Sequence, residues 1–224
     1  MQKIRNVLMR RLIALVFALQ ASFVWAQADV PLFRDLRYDA PIAQFGKAQG
    51  YYDCSKAVGF LARCVDNVKF LGLTFDTQIL QFLDNRLRTV TIATEMKPQV
   101  YTTLIKAIME NFSLLLMQSD GKRLDMLQLG KTEGLSAQRA KVAEFESAGL
   151  ERGDLTYMFL ERPMTELRVY RNGVEAIVES PATAREVDIK VLEKGGESFI
   201  SASFSLPRRS MAEMRQTPVP KEKF

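Results

Sequence analysis

Residues 77–94 read TQILQFLDNRLRTVTIAT, and their reading decides the fold. The apolar residues through Leu83 suit an extended chain, Asp84-Asn85 suits a two-residue turn, and Arg86 opens a second extended run. The β-branched Thr89, Val90, Thr91, Ile92 and Thr94 favour that conformation, because branched side chains pack well on a pleated surface. Two strands about a tight turn make a hairpin. Upstream, residues 68–75 (VKFLGLTF) are apolar enough for a buried strand, so the spacing predicts a three-stranded meander.

Downstream, Lys97-Pro98 opens a helix, since proline fits the first turn, where its missing N–H costs nothing. Val100, Tyr101, Leu104, Ile105, Ile108, Met109 and Phe112 recur at spacings of three and four, which puts them on one face. The pattern runs on towards Leu116 and predicts one long helix over 98–116. Residues 124–129 (LDMLQL) read as a short strand. Ser136 reads as the cap of a weaker helix over 136–148, ended by Gly149.

Strands return in the C-terminal part. One covers 155–160. Two more, over 166–171 and 174–179, flank Asn172-Gly173, a strong hairpin signal. Val187, Ile189 and Val191 alternate with charged residues, and after Gly195-Gly196 the residues Ile200, Ala202, Phe204 and Leu206 alternate with more polar ones. The expectation is an α+β fold: an antiparallel β-sheet of six or more strands with one long packed helix and a weaker second one. Pro31 and Pro41 punctuate a lead-in that offers a short strand or a short helix near Ala43. Pro207 is expected to end regular structure.

The N-terminus carries Lys3, Arg5, Arg10 and Arg11 without an acid, then the run LIALVFALQASFV, then Ala26-Gln27-Ala28. This is the pattern of a secretory signal peptide over residues 1–28, cut between Ala28 and Asp29. The apolar run falls short of the roughly 20 residues a membrane-spanning helix needs. The division expected is a leader, one α+β domain over 29–206, and a mobile basic tail over 207–224. The chain has 31 Lys and Arg against 26 Asp and Glu, and four of those bases lie in the leader. The remainder is nearly balanced, which removes the case for nucleic-acid binding by net charge. The tail keeps a local excess, and Arg208, Arg209, Arg215, Lys221 and Lys223 are its candidate partner contacts.

Cys54 and Cys64 are the only cysteines. In the oxidising periplasm a pair at this spacing forms a structural disulfide. A zinc site needs four ligands, and the chain has no histidine. That lack also excludes Ser-His-Asp and Cys-His catalysis. Gly130-Lys131-Thr132 ends like a phosphate loop, but Asp125 stands where the first glycine belongs. Ser119-Asp120-Gly121-Lys122 fits the S-x-x-K of penicillin-recognising enzymes, yet Asp-Gly is a turn, Ser119 would follow the long helix, and the companion motifs are missing. No catalytic, metal or cofactor residue is assigned, and no cofactor is expected.

The segments FRDLRYDAPIAQF, Cys54 with Cys64, QFLDNRLRTVTIAT and YTTLIKAIMENF follow an order that resembles the β-lactamase-inhibitor-protein fold and small outer-membrane assembly lipoproteins. The likeness covers residues 33–116. It implies a stapled loop, a twisted antiparallel sheet, a packed helix, and binding of other proteins without catalysis. The leading expectation is therefore a periplasmic, non-catalytic binding or assembly protein that meets another envelope protein. The alternatives are an envelope hydrolase or transferase, and a carrier for a small apolar ligand.

Overall fold

A computed structural model describes residues 30–216. Among these residues eleven strands form two sheets. The lead-in makes a small hairpin, β1 (Pro31–Phe33) and β2 (Leu36–Arg37), followed by short 3-10 turns at Ile42–Gln44 and Lys47–Gln49. The main sheet has nine strands, and every ladder in it is antiparallel. Its members are β3 (Tyr52–Asp53), β4 (Ala62–Phe70), β5 (Leu73–Leu83), β6 (Arg86–Glu95), β7 (Ser113–Ser119), β8 (Lys122–Asp125), β9 (Asp154–Leu160), β10 (Glu186–Lys194) and β11 (Glu197–Ser205). They lie in the order β3-β4-β5-β6-β11-β10-β9-β7-β8. The α+β class and the large antiparallel sheet are as the sequence predicts.

Side chains alternate across a strand, so the register sorts each residue to one face. Leu80, Val90, Phe204, Val187 and Phe159 stand side by side in successive strands, and all are buried. This front face carries the main core. The hairpin β1–β2 packs on it through Phe33, whose ring centroid lies 4.8 Å from that of Phe204. Helix α2 (Pro98–Met109) adds Val100, Leu104 and Ile108. The row one residue along, Ile79, Thr91, Ser203, Asp188 and Met158, forms the back face. Its ends are apolar and its middle is polar, with Thr91 and Ser203 hydroxyls hydrogen-bonded at 2.8 Å.

The short helix α1 (Ser55–Val58) lies between the two cysteines, which form a disulfide with Cα atoms 5.8 Å apart. Both are buried with Ala62 on the back of β4, beside Val58 and Ile79. At the other edge a second back-face cluster joins Leu115, Leu116 and Leu160 to Leu127, Leu167, Ala176 and Ile177. The last four come from α3 (Met126–Thr132), α5 (Met164–Leu167) and α6 (Gly173–Glu179). The 17-residue α4 (Leu135–Glu151) lies over the front of β9 and β7, and α7 (Pro207–Gln216) closes the described chain.

Several predicted elements are corrected. The long helix stops at Met109, and Ser113–Ser119 is a strand. Four consecutive apolar residues, Leu114 to Met117, serve both faces of that strand, and they continued the helical spacing by coincidence. The first strand of the predicted meander is split at Leu71-Gly72, both at positive φ, so the turn falls inside VKFLGLTF. The turn at Asp84-Asn85 stands, also with both residues at positive φ.

Asn172-Gly173 begins a helix instead of turning a hairpin. The Asn172 side chain accepts from the Glu175 N–H at 2.9 Å, an N-cap that satisfies one of the donors a helix leaves open. A side chain at 173 would press on Leu116 and the Leu115 carbonyl, so glycine is there for close packing. The 124–129 strand ends at Asp125, which caps α3. The helix placed at 136–148 starts one residue earlier, after Gly134, and runs through Gly149. Gly149 does not end it; the residue lets α4 approach Leu155, whose Cδ1 would sit 2.8 Å from an added Cβ. Finally, Pro207 opens α7 where regular structure was expected to end, again with proline suited to a first helical turn.

Candidate functional site

The rim of the sheet beside β7 holds a cleft of about 1090 Å³. That is slightly above the roughly 300–1000 Å³ usual for small-molecule sites. Its floor is Phe112, Leu114, Leu127 and Leu129; Met126 flanks them, and Met164 comes from α5. Helix α4 forms the roof with Leu135, Val142 and Ala143. Two apolar side chains that line the cleft remain largely open to solvent, Met109 at 58% and Leu135 at 63%.

The roof is weakly held. Of the residues of α4, Gly149 alone is buried, and Val142, Phe145 and Leu150 pack only partly against the core. The helix is anchored near its C-terminal end, where Gly149 meets Leu155, while its N-terminal half spans the cleft. A helix needs tertiary packing of an apolar face to be stable, and α4 has little.

Inside the cleft, Glu146 is the one carboxylate of the lining. Its Oε1 accepts hydrogen bonds from the Tyr157 hydroxyl, at 2.7 Å, and from the Tyr101 hydroxyl. The two hydroxyls are themselves 2.6 Å apart. Burial raises both phenols above their ordinary value, and the bonds to Glu146 raise them further. They stay protonated and act as donors, which ties α4 to α2 and β9 through a single oxygen.

Three cations line the same cleft: Lys131, Arg139 and Arg168. Lys131 Nζ donates to the Tyr170 carbonyl at 2.8 Å and more distantly to that of Arg171. It is the lysine of the Gly-Lys-Thr sequence, which here lies in the last turn of α3 and cradles nothing.

The walls are positioned by Asp125. Its Oδ1 accepts from the N–H groups of Leu127 and Gln128, both at 3.0 Å, and its Oδ2 accepts from the Gly173 N–H at 2.8 Å. One carboxylate therefore caps α3 and also meets the start of α6, where anions are favoured.

Ser119 ends β7; it does not follow a helix, and Asp120-Gly121 turns the chain into β8. The serine is buried and receives a hydrogen bond from Arg152 at 2.9 Å. Lys122 opens the next strand, so the pair has none of the one-turn helical spacing the motif requires. Of the tail bases, Arg208 donates to the Ser180 carbonyl at 3.0 Å and Arg209 to that of Ala182, also at 3.0 Å. These bonds lock α7 onto the end of α6. Arg215 lies in α7, and Lys221 and Lys223 fall outside the described residues, as does the leader over 1–28. Among the described residues no group of three or more potential ligands is placed to hold a metal, and no helix is long and apolar enough to cross a membrane.

The sequence offers an apolar-ligand carrier as an alternative but does not mark the residues that line the cleft. The apolar ones are spread over four segments, and α4 shows too little periodicity to mark a face. No family model, curated protein or solved structure matches the chain.

Proposed function

We propose that this is an exported, non-catalytic binding protein that carries a small ligand with an apolar body in the cleft beneath α4. The observation that carries the reading is a cavity of about 1090 Å³ floored by buried leucines and roofed by a helix with one buried residue. Burying a ligand chain there is worth about 0.8 kcal/mol per methylene, and the ligand supplies the packing that α4 lacks. The cysteine pair and the leader-like N-terminus support action in the periplasm. A second reading, contact with another envelope protein, is favoured by the exposed Met109, Leu135 and Val169, the last at 80%. The likeness of residues 33–116 to protein-binding domains belongs to that second reading.

Native mass spectrometry of the exported protein is expected to reveal a co-purified apolar molecule. An environment-sensitive apolar dye should light up on the stripped protein and be displaced by that molecule. Ala143→Trp fills the roof of the cleft from a solvent-exposed position, so it should leave the melting temperature nearly unchanged and abolish dye binding. Unaltered dye binding by this variant would move the site elsewhere.

A further inference from the structure

We infer that the ligand of the cleft is a single-chain amphiphile with an anionic head, held by Arg139, Arg168 and Lys131. The inference rests on the cleft being the binding site, and it concerns which chemistry the site selects.

It starts from which cations are paired. Arg and Lys residues near the cleft mostly have acids of their own. Lys141 bonds Glu133 at 2.5 Å, Arg171 bonds Glu175 at 3.1 Å, and Arg162 and Arg185 bond Glu166 and Glu161. The three that line the cleft depart from this pattern. Arg139 and Arg168 have no ion pair among the described residues, and Lys131 is held by two carbonyls. Glu175 feels the charge of Lys131, but its carboxylate is bonded to Arg171.

The only acid of the lining is already engaged. Glu146 spends one oxygen on two tyrosine hydroxyls. The cleft thus presents three cations against one carboxylate, beside a floor that is apolar. A neutral hydrocarbon would leave the two arginines without an anion, and a cationic ligand would be repelled. An anionic head satisfies them, and guanidinium groups suit the planar fork of a carboxylate or the oxygens of a phosphate. With the head at Arg139 and Arg168, the apolar lining left for the chain includes Leu127, Leu129, Phe112 and Met109.

The test compares ligands that share one chain. Palmitate, hexadecyl phosphate and hexadecanol are titrated against the dye-loaded wild type and an Arg139→Gln/Arg168→Gln variant. Both residues are exposed, so the variant should fold as the wild type does. Palmitate or hexadecyl phosphate, or both, are expected to bind roughly tenfold or more tightly than hexadecanol, the scale of a charge-assisted hydrogen bond. Which of the two is tighter tells a carboxylate head from a phosphate one. The variant should lose that advantage and keep its affinity for hexadecanol. Equal binding of all three by the wild type would overturn the head-group assignment and leave the cleft standing as an apolar site. Failure of every chain to bind would overturn both.

Discussion

The two meanders at the centre of the sheet, β4-β5-β6 and β9-β10-β11, have the same topology and opposite surroundings. They meet antiparallel at β6 and β11, so the strand order reads alike outward from that ladder in either direction. Each closes its last hairpin with two residues at positive φ, Asp84-Asn85 in one and Gly195-Gly196 in the other. Each is followed by a helix that begins with proline, Pro98 or Pro207. On the front both contribute apolar rows to one core.

They part company elsewhere. The first meander is joined by tight turns, and its back is stapled by Cys54–Cys64. The second is preceded by α3 and α4, and its β9–β10 connection carries α5 and α6. All the walls of the cleft except Met109, Phe112 and the start of β7 come from these additions. One half is braced and the other is elaborated, and the site sits in the elaborated half.

The comparison breaks most easily at the brace. Replacing both cysteines with alanine frees a loop of about 11 residues and should cost roughly 3 kcal/mol in the chain-entropy model. Urea unfolding of wild type and variant measures the loss. Below the melting transition the variant should bind the apolar dye as the wild type does, because the staple and the cleft lie at opposite edges of the sheet. A parallel loss of dye binding would mean that the two halves are coupled.

The second break is at Asp125, which organises the elaborated half. Asp125→Ala removes the cap of α3 and the acceptor for the Gly173 N–H, and should cost about 2 kcal/mol. Asp125→Asn keeps the capping oxygen and turns an N–H towards Gly173, so it should cost about half as much. Here dye affinity should fall with stability, since α3 carries the floor of the cleft. Equal effects of the two substitutions would place all the energy in the bond to Gly173 and none in the cap.

The braced half was far more legible in the sequence than the elaborated one. QFLDNRLRTVTIAT states its strands and turn directly, because alternation, β-branching and turn chemistry agree there. Cys54 and Cys64 stated their pairing through compartment and spacing. In the other half the same signals pointed wrongly. Asn172-Gly173 has the composition of a hairpin, but Gly173 is required by Leu116, a contact that appears only on folding. Leu114 to Met117 extended a helical period although they span a strand between two cores. Arg139 and Arg168 look like any solvated bases until the ion pairs of their neighbours are known. The site is made of long-range contacts, and no local pattern encodes them.

The mildest change sharpens the comparison on the back of the sheet. Where the first meander buries its disulfide, the second carries Glu186 and Asp188 on β10, and Glu186 is 8% exposed. Glu186 Oε1 and Asp188 Oδ1 have no hydrogen-bond partner among the described residues. Burial and the neighbouring charge of Asp188 push Glu186 up to about 8, and burial raises Asp188 as well, against the lowering influence of Lys190. An unfolded glutamate gives up its proton near 4.5. Between that value and about 8 the native state holds more protons than the unfolded one, so this group makes stability fall as pH rises. Its stabilising contribution is complete below the unfolded value and lost as pH climbs through the folded one. Glu186→Gln keeps the volume and removes the titration. It should leave the melting temperature at pH 5 nearly unchanged and raise it by several degrees at pH 8, flattening the decline between. A variant curve that runs parallel to the wild type would show that Glu186 ionises in the folded protein as freely as in the unfolded chain, and that the back of the second meander is open to water where the first is closed.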